Sequence, residues 1–200
     1  MSLFYKIMRG IVSFFTHIFF RIKKYGVHNI PKEGPLIICC NHTSISDILF
    51  LGILCPRQIH FMGKDEIFKN KILAFLFRKL GAFPVNRRTG DKCAISKAEE
   101  ILNDGKVLGI FPEGTRHTDG APHKAKPGAA MLALSTKAPI LPSAVYRSDS
   151  KERFLQKATF RFGSPIYYED YSGGETGKTA IRRVSEIITD KITELWEMKH

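Results

Sequence analysis

Apolar and polar positions along the chain alternate between helical and extended patterns. Near the N-terminus Leu3, Phe4, Ile7, Met8, Ile11, Phe14, Phe15, Ile18 and Phe19 recur at helical spacing, with Lys6, Arg9, Ser13, Thr16 and His17 on the opposite stripe. This predicts an amphipathic helix within residues 1–24. Short apolar runs bounded by turn residues predict strands at 35–40, 58–62, 82–85, 106–111, 140–146 and 158–162. Helical patterns fall at 47–54, 70–80, 91–103 and 177–198, the last carrying a core stripe of Ile181, Val184, Ile188, Ile192 and Leu195. Strands alternating with helices predict an α/β fold: one domain over residues 25–200, with a largely parallel sheet flanked by helices. A chain of 200 residues suits a single core.

Charge changes the picture. The 31 Lys and Arg exceed the 19 Asp and Glu, giving a net charge of +12 that attracts anionic surfaces. No nucleic-acid-binding motif accompanies it, and 15 Phe with a basic N-terminus point to anionic membrane lipid as the partner. The polar stripe interrupts any run long enough to cross about 30 Å of hydrocarbon. Phe19 and Phe20 lead into Arg21, Lys23 and Lys24, where a cleaved signal would carry small residues. The expectation is a helix lying in the headgroup layer, with the protein peripheral or monotopic at the cytoplasmic face of the cell membrane. The alternative is a helix packed on its own domain. Cys39, Cys40, Cys55 and Cys93 form no CxxC pair and read as small core residues of a reduced, intracellular protein. His117 and His123 lack the HExxH or CxxC spacing of a zinc site, so no metal is expected. Residues 173–179, Gly-Gly-Glu-Thr-Gly-Lys-Thr, imitate a phosphate-binding loop, but the first glycine is one residue too close and no apolar strand precedes it.

Candidate chemistry gathers after the strands. Asn41-His42-Thr43-Ser44-Ile45-Ser46-Asp47 follows the first of these apolar strands directly. On a continuous helix the His42 to Asp47 spacing would separate the side chains by about 140°. They can meet if His42 lies in the turn and Asp47 inside the helix, at the strand end where α/β sheets bind ligands. An imidazole backed by a carboxylate is a general base, and the nucleophile can be the substrate's own hydroxyl. The strand at 106–111 runs into Pro112-Glu113-Gly114-Thr115-Arg116-His117, where a guanidinium, a hydroxyl and backbone N–H groups can cradle a phosphate. Residues 81–88, Gly-Ala-Phe-Pro-Val-Asn-Arg-Arg, bring a second cation, Arg87, to a strand end. Any one of these segments alone also fits an ordinary solvated turn.

Taken together, in this order and spacing, they resemble the glycerophospholipid acyltransferase family, most closely its 1-acylglycerol-3-phosphate acyltransferase branch. The resemblance covers roughly residues 25–165 and rests on His42 to Asp47, Gly81 to Arg87, Phe111-Pro-Glu-Gly-Thr-Arg116 and Pro139-Ile-Leu-Pro142. It implies that His42 deprotonates an acceptor hydroxyl while Asp47 orients it, and that the hydroxyl attacks an acyl thioester with no acyl-enzyme. It also implies that Arg87, Glu113, Gly114, Thr115 and Arg116 bind the acceptor phosphate, with Lys64 and Lys126 as further substrate contacts. The acceptor would be lysophosphatidic acid and the product phosphatidic acid. The donor would be acyl-coenzyme A or acyl carrier protein, with no cofactor. Pro84 and Asn86 depart from the family pattern, which leaves another lyso-lipid or glycerol-phosphate acceptor open. A non-catalytic lipid-binding protein is the reading that needs neither His42 nor Asp47. Phe50, Leu51, Phe68, Leu73, Phe75, Leu76 and Phe77 offer apolar surface for an acyl groove or for the core.

Overall fold

A computed structural model describes residues 1–85, 92–147 and 156–198. The elements in chain order are α1 (Leu3–Phe19), β1 (Phe20–Tyr25), β2 (Leu36–Cys40), α2 (Ser46–Leu54), β3 (Ile59–Lys64), α3 (Lys71–Lys79), β4 (Ala82–Val85), α4 (Lys92–Asn103), β5 (Val107–Ile110), α5 (Pro127–Thr136), β6 (Ile140–Arg147), β7 (Gln156–Phe162), α6 (Tyr168–Ser172) and α7 (Gly177–Glu197). The seven strands form one sheet in the order β1-β7-β6-β2-β5-β3-β4. The five from β6 to β4 are mutually parallel, so their C-terminal ends share one edge of the sheet. Only β7 runs against its neighbour β6, and β1 pairs parallel to β7.

Every residue of β2 is fully buried because it lies mid-sheet with helices on both faces. Ile37 and Cys39 join one core cluster with residues of α4, α5, α6 and α7. Leu36, Ile38 and Cys40 join the other, which Phe50, Leu51, Ile53 and Leu54 of α2 cover. Ile59 and Phe61 of β3 face that second side, and Gly63, next in the same alternation, is covered by Ile67 and Phe68 of the short 3-10 turn Asp65–Phe68. That turn, which leads into α3, therefore lies on the same sheet face as α2.

α1 docks on that face with its apolar stripe turned away from the domain. The residues that touch the domain lie on the Tyr5, Arg9, Val12, Thr16 side. The Tyr5 hydroxyl donates to the Gly52 carbonyl (3.3 Å), and the Arg9 guanidinium donates to the Ile53 carbonyl through Nε (3.2 Å) and Nη2 (2.8 Å). These bonds occupy carbonyls in the last turn of α2, which have no partner within their helix. The apolar stripe points outward: Leu3, Ile7, Phe14 and Phe15 are all more than half exposed. The helix ends at Phe19, and Phe20–Tyr25 continue as an edge strand in which Phe20 and Ile22 turn toward the core between exposed basic residues. Cys39, Cys40 and Cys55 are buried core thiols, but Cys93 is exposed on α4.

Candidate active site

β2 ends in a turn that reverses into α2, and Asn41 locks its start. Its side-chain amide donates to the Val145 carbonyl (3.0 Å) and its side-chain carbonyl accepts from the Val145 N–H (2.8 Å), extending the pairing of β2 with β6 by one rung. His42 follows in the turn and Asp47 sits in the first turn of α2, so the two side chains meet as the spacing predicts, with His42 Nδ1 3.2 Å from Asp47 Oδ2. The same oxygen accepts from the N–H groups of Thr43 and Ser44, both at 2.8 Å. Asp47 is completely buried. Burial raises its pKa, but the His42 bond, the Arg147 guanidinium and the Ser44 N–H together hold it below the ordinary aspartate value. Nδ1 is thus committed to the carboxylate, and Nε2 is the nitrogen left to meet a substrate. The His42 side chain is 13% exposed.

The turn after β5 grips this histidine. The ring of Phe111 stacks on the His42 imidazole (3.9 Å between centroids, 18° between planes) and lies parallel to Phe61 beyond it (6.0 Å, 11°). Glu113 is buried and accepts from the His42 N–H at Oε2 (3.2 Å) and from the His123 N–H at Oε1 (3.0 Å). The His117 N–H donates to the His42 carbonyl (2.9 Å), so both backbone groups of His42 are bonded to the same turn. Burial pushes the Glu113 carboxyl up to about 7 against the pull of the two N–H groups.

Gly114 has a left-handed φ of 76°, and a Cβ there would stand 2.9 Å from Lys126 Nζ, so this lysine lies directly over the turn. Lys126 caps the N-terminus of α5 and its N–H bonds the Pro112 carbonyl (2.8 Å). Thr115 and Arg116 are exposed beside it. The structure therefore brings His42, Asp47, Glu113, Gly114, Thr115, Arg116 and Lys126 together. Lys64 ends β3, exposed, on the same sheet edge. Arg87 lies outside the described residues, two positions beyond the end of β4. The apolar residues considered for a groove do not line a single one. Phe50 and Leu51 belong to the core, whereas Phe68 and Phe75 line a separate cavity of about 650 Å³ with Lys71 and Arg78. Among the described residues no three His, Cys, Asp or Glu side chains converge as a metal site.

One charged group escaped the sequence reading. Arg147, the last residue of β6, places Nη2 2.5 Å from Asp47 Oδ1. The signal was there, because a cation at a strand end is the argument that singled out Arg87; the predicted strand stopped one residue short of it.

Residues 21–146 match the family model described as Acyltransferase. The chain belongs to this acyltransferase family. The acyltransferase is 32% identical over 177 residues to the 1-acyl-sn-glycerol-3-phosphate acyltransferase of Bacillus subtilis (strain 168), covering 87% of each. It is also 32% identical over 146 residues to the protein of the same name from Borreliella burgdorferi, covering 71% of this chain and 57% of that one, so it spans just over half of that relative's length. The crystal structure of the 1-acyl-sn-glycerophosphate (LPA) acyltransferase PlsC from Thermotoga maritima superimposes with a TM-score of 0.77 at 25% identity, over 98% of this acyltransferase and 79% of that chain.

Proposed function

We propose that the chain transfers an acyl group from a thioester, acyl-coenzyme A or acyl carrier protein, to the free hydroxyl of lysophosphatidic acid. The products are phosphatidic acid and the free thiol. The observation that carries this reading is the placement of His42, with Nδ1 bonded to an ionised, buried Asp47 and the ring held on Phe111 beside the cationic turn of Gly114, Thr115, Arg116 and Lys126. The acceptor phosphate docks on that turn through the Arg116 and Lys126 charges, the Thr115 hydroxyl and exposed N–H groups. Glu113 serves as the internal brace that ties the turn to His42. His42 Nε2 takes the proton as the hydroxyl oxygen attacks the thioester carbonyl, and the imidazolium returns it to the departing thiolate.

The acceptor is a membrane lipid, and the protein carries a matching surface. The outward stripe of α1, Ile45 and Leu49 beside His42, and Ile72 and Phe75 of α3 are all exposed. Lys71, Arg78 and Lys79 surround Phe75, with Lys79 Nζ 5.6 Å from its ring centre. Apolar side chains ringed by cations suit the headgroup layer of an anionic membrane. Among the described residues no helix is long and apolar enough to cross a membrane.

The deciding experiment is transfer of a labelled acyl group from acyl-coenzyme A, and separately from acyl carrier protein, to lysophosphatidic acid in liposomes. Wild type and His42→Ala are run side by side. The variant is expected to lose at least about 100-fold in turnover while keeping its fold. A folded wild type inert with both donors, or a fully active His42→Ala, overturns the reading.

A further inference from the structure

The guanidinium at the end of β6 has more to do than close a strand. The Arg147 side chain is 2% exposed. Besides Asp47 Oδ1, its Nη2 donates to Ser46 Oγ (3.0 Å), its Nε donates to Thr43 Oγ1 (3.1 Å), and its guanidinium lies 5.3 Å from the centre of the Phe50 ring. Each of these partners belongs to the stretch from the His42 turn into α2. The two oxygens of Asp47 are divided: Oδ2 faces His42 Nδ1 and the N–H groups of Thr43 and Ser44, and Oδ1 faces Arg147.

We propose that Arg147 is a positioning residue for acyl transfer, holding Asp47 as an aimed carboxylate so that His42 keeps its proton on Nδ1 and presents Nε2 as the base. The inference rests on the reading of His42 as that base. The chemistry turns on where one proton sits. A carboxylate at Asp47 accepts from Nδ1–H, which leaves a lone pair on Nε2. A protonated Asp47 would instead donate to Nδ1, the ring proton would move to Nε2, and no base would remain. A carboxyl group with no exposure resists ionisation unless a charge offsets its lost hydration. Among the described residues, His42 offers Asp47 a hydrogen bond, and neither acid nearby supplies a positive charge. The Cys40 thiol is pushed well above its ordinary value, first by burial and then by the Asp47 and Glu113 charges, and stays neutral. Glu113 is itself acidic and turned to backbone N–H groups. The guanidinium is a permanent cation in direct contact with Asp47.

The test uses the full chain with Arg147→Gln and Arg147→Lys. It reads melting temperature, kcat and KM for lysophosphatidic acid, the pH profile, and the ¹⁵N signals of the His42 ring. With Arg147→Gln, kcat is expected to fall by roughly 100-fold, the scale of a lost general base, with little change in KM. The acid limb belongs to the coupled His42 and Asp47 pair. Losing a fixed cation lets the pair hold its proton to higher pH, so this limb moves up by about one unit or more. Arg147→Lys, which restores charge without the planar fork, recovers part of both. A purely structural arginine would lower the melting temperature and leave the profile of the folded fraction in place. The proposal is overturned if folded Arg147→Gln keeps the wild-type profile. It is also overturned if the wild-type ring carries its proton on Nε2 at neutral pH. That second reading needs no variant and no substrate, so it stands apart from any failure to detect acyl transfer.

Discussion

Gly109 offers a test of how packing below the site reaches the chemistry above it. It lies on β5 between Val107 and Phe111, on the face shared with Phe61 and Ile59. A Cβ added there would stand 2.3 Å from Phe61 Cε1, 2.7 Å from Ile59 Cγ2 and 2.8 Å from Phe61 Cδ1. Ordinary carbon contacts need about 3.5–4.0 Å, so in Gly109→Ala the Phe61 ring must retreat by more than about 1 Å. Ile59 is fully buried and blocks one way out. The backbone itself favours alanine by roughly 0.5–1 kcal/mol, because glycine is a poor strand residue. Overpacking a core costs about 1–3 kcal/mol and wins. At roughly 2–4 °C per kcal/mol for a chain of this size, the melting temperature should drop by several degrees. The catalytic effect should be larger than the stability effect. Phe61 backs Phe111, and Phe111 backs the His42 ring, so the displacement travels along three aromatic planes to the imidazole. A shift near 1 Å at a reacting group costs on the order of 100-fold in rate. Melting curves and kcat on liposomal lysophosphatidic acid measure the two effects together, and adding Phe61→Leu should restore part of the rate by making room. A Gly109→Ala protein that melts and turns over like wild type would refute the idea that this stack aims the base.

Two further expectations concern the outward face of α1 and the Glu113 brace. Phe14 and Phe15 are 64% and 53% exposed, so replacing both by Ser should leave the folding stability unchanged within about 0.5 kcal/mol. At roughly 1.5–3 kcal/mol for each fully buried Phe, scaled to their exposed fractions, the change should weaken partition onto anionic vesicles by about 20- to 400-fold, and unaltered flotation would show that the stripe is not the lipid contact. Glu113 binds its proton more tightly folded than unfolded, because burial pushes its carboxyl up to about 7 from the ordinary 4.5. Its contribution to stability is therefore present below pH 4.5 and lost as pH rises through 7. Melting temperature followed across that window should decline less steeply in Glu113→Gln than in wild type, and equal slopes would count against the shift.

Strands bounded by glycine, proline or polar turns were legible from their apolar runs alone, and β4 falls on the residues so marked. β1 was not, since Phe20 and Ile22 alternate with basic residues and looked like the charged flank of the preceding helix. α5 was missed for the opposite reason. Ala129, Ala130, Leu132 and Ala133 are all buried, so the helix has little polar face to give it a period, and Pro127 at its start was the one local cue. The site divides in the same way. His42 and Asp47 are five residues apart and their meeting could be argued from a strand, a turn and a helix. The bond from Arg147 to Asp47 joins residues 100 apart, and the bond from His42 to Glu113 joins residues 71 apart. Such pairs exist only once β6 and β5 have been laid beside β2, and no local pattern announces them. The outward stripe of α1 was visible in the sequence, but its docking through Tyr5 and Arg9 depended on carbonyls of α2 that no periodicity locates.

The second turn holds residue 42 by its peptide groups, the amide hydrogen on Glu113 and the carbonyl oxygen on His117, and these are the same for any amino acid. The scaffold is therefore indifferent to which side chain it displays there. An alanine at this position would inherit the frame intact, with the aromatic platform and the turn after β5 still assembled around an empty seat. Exchange of the histidine thus removes an imidazole from the protein and leaves its architecture standing.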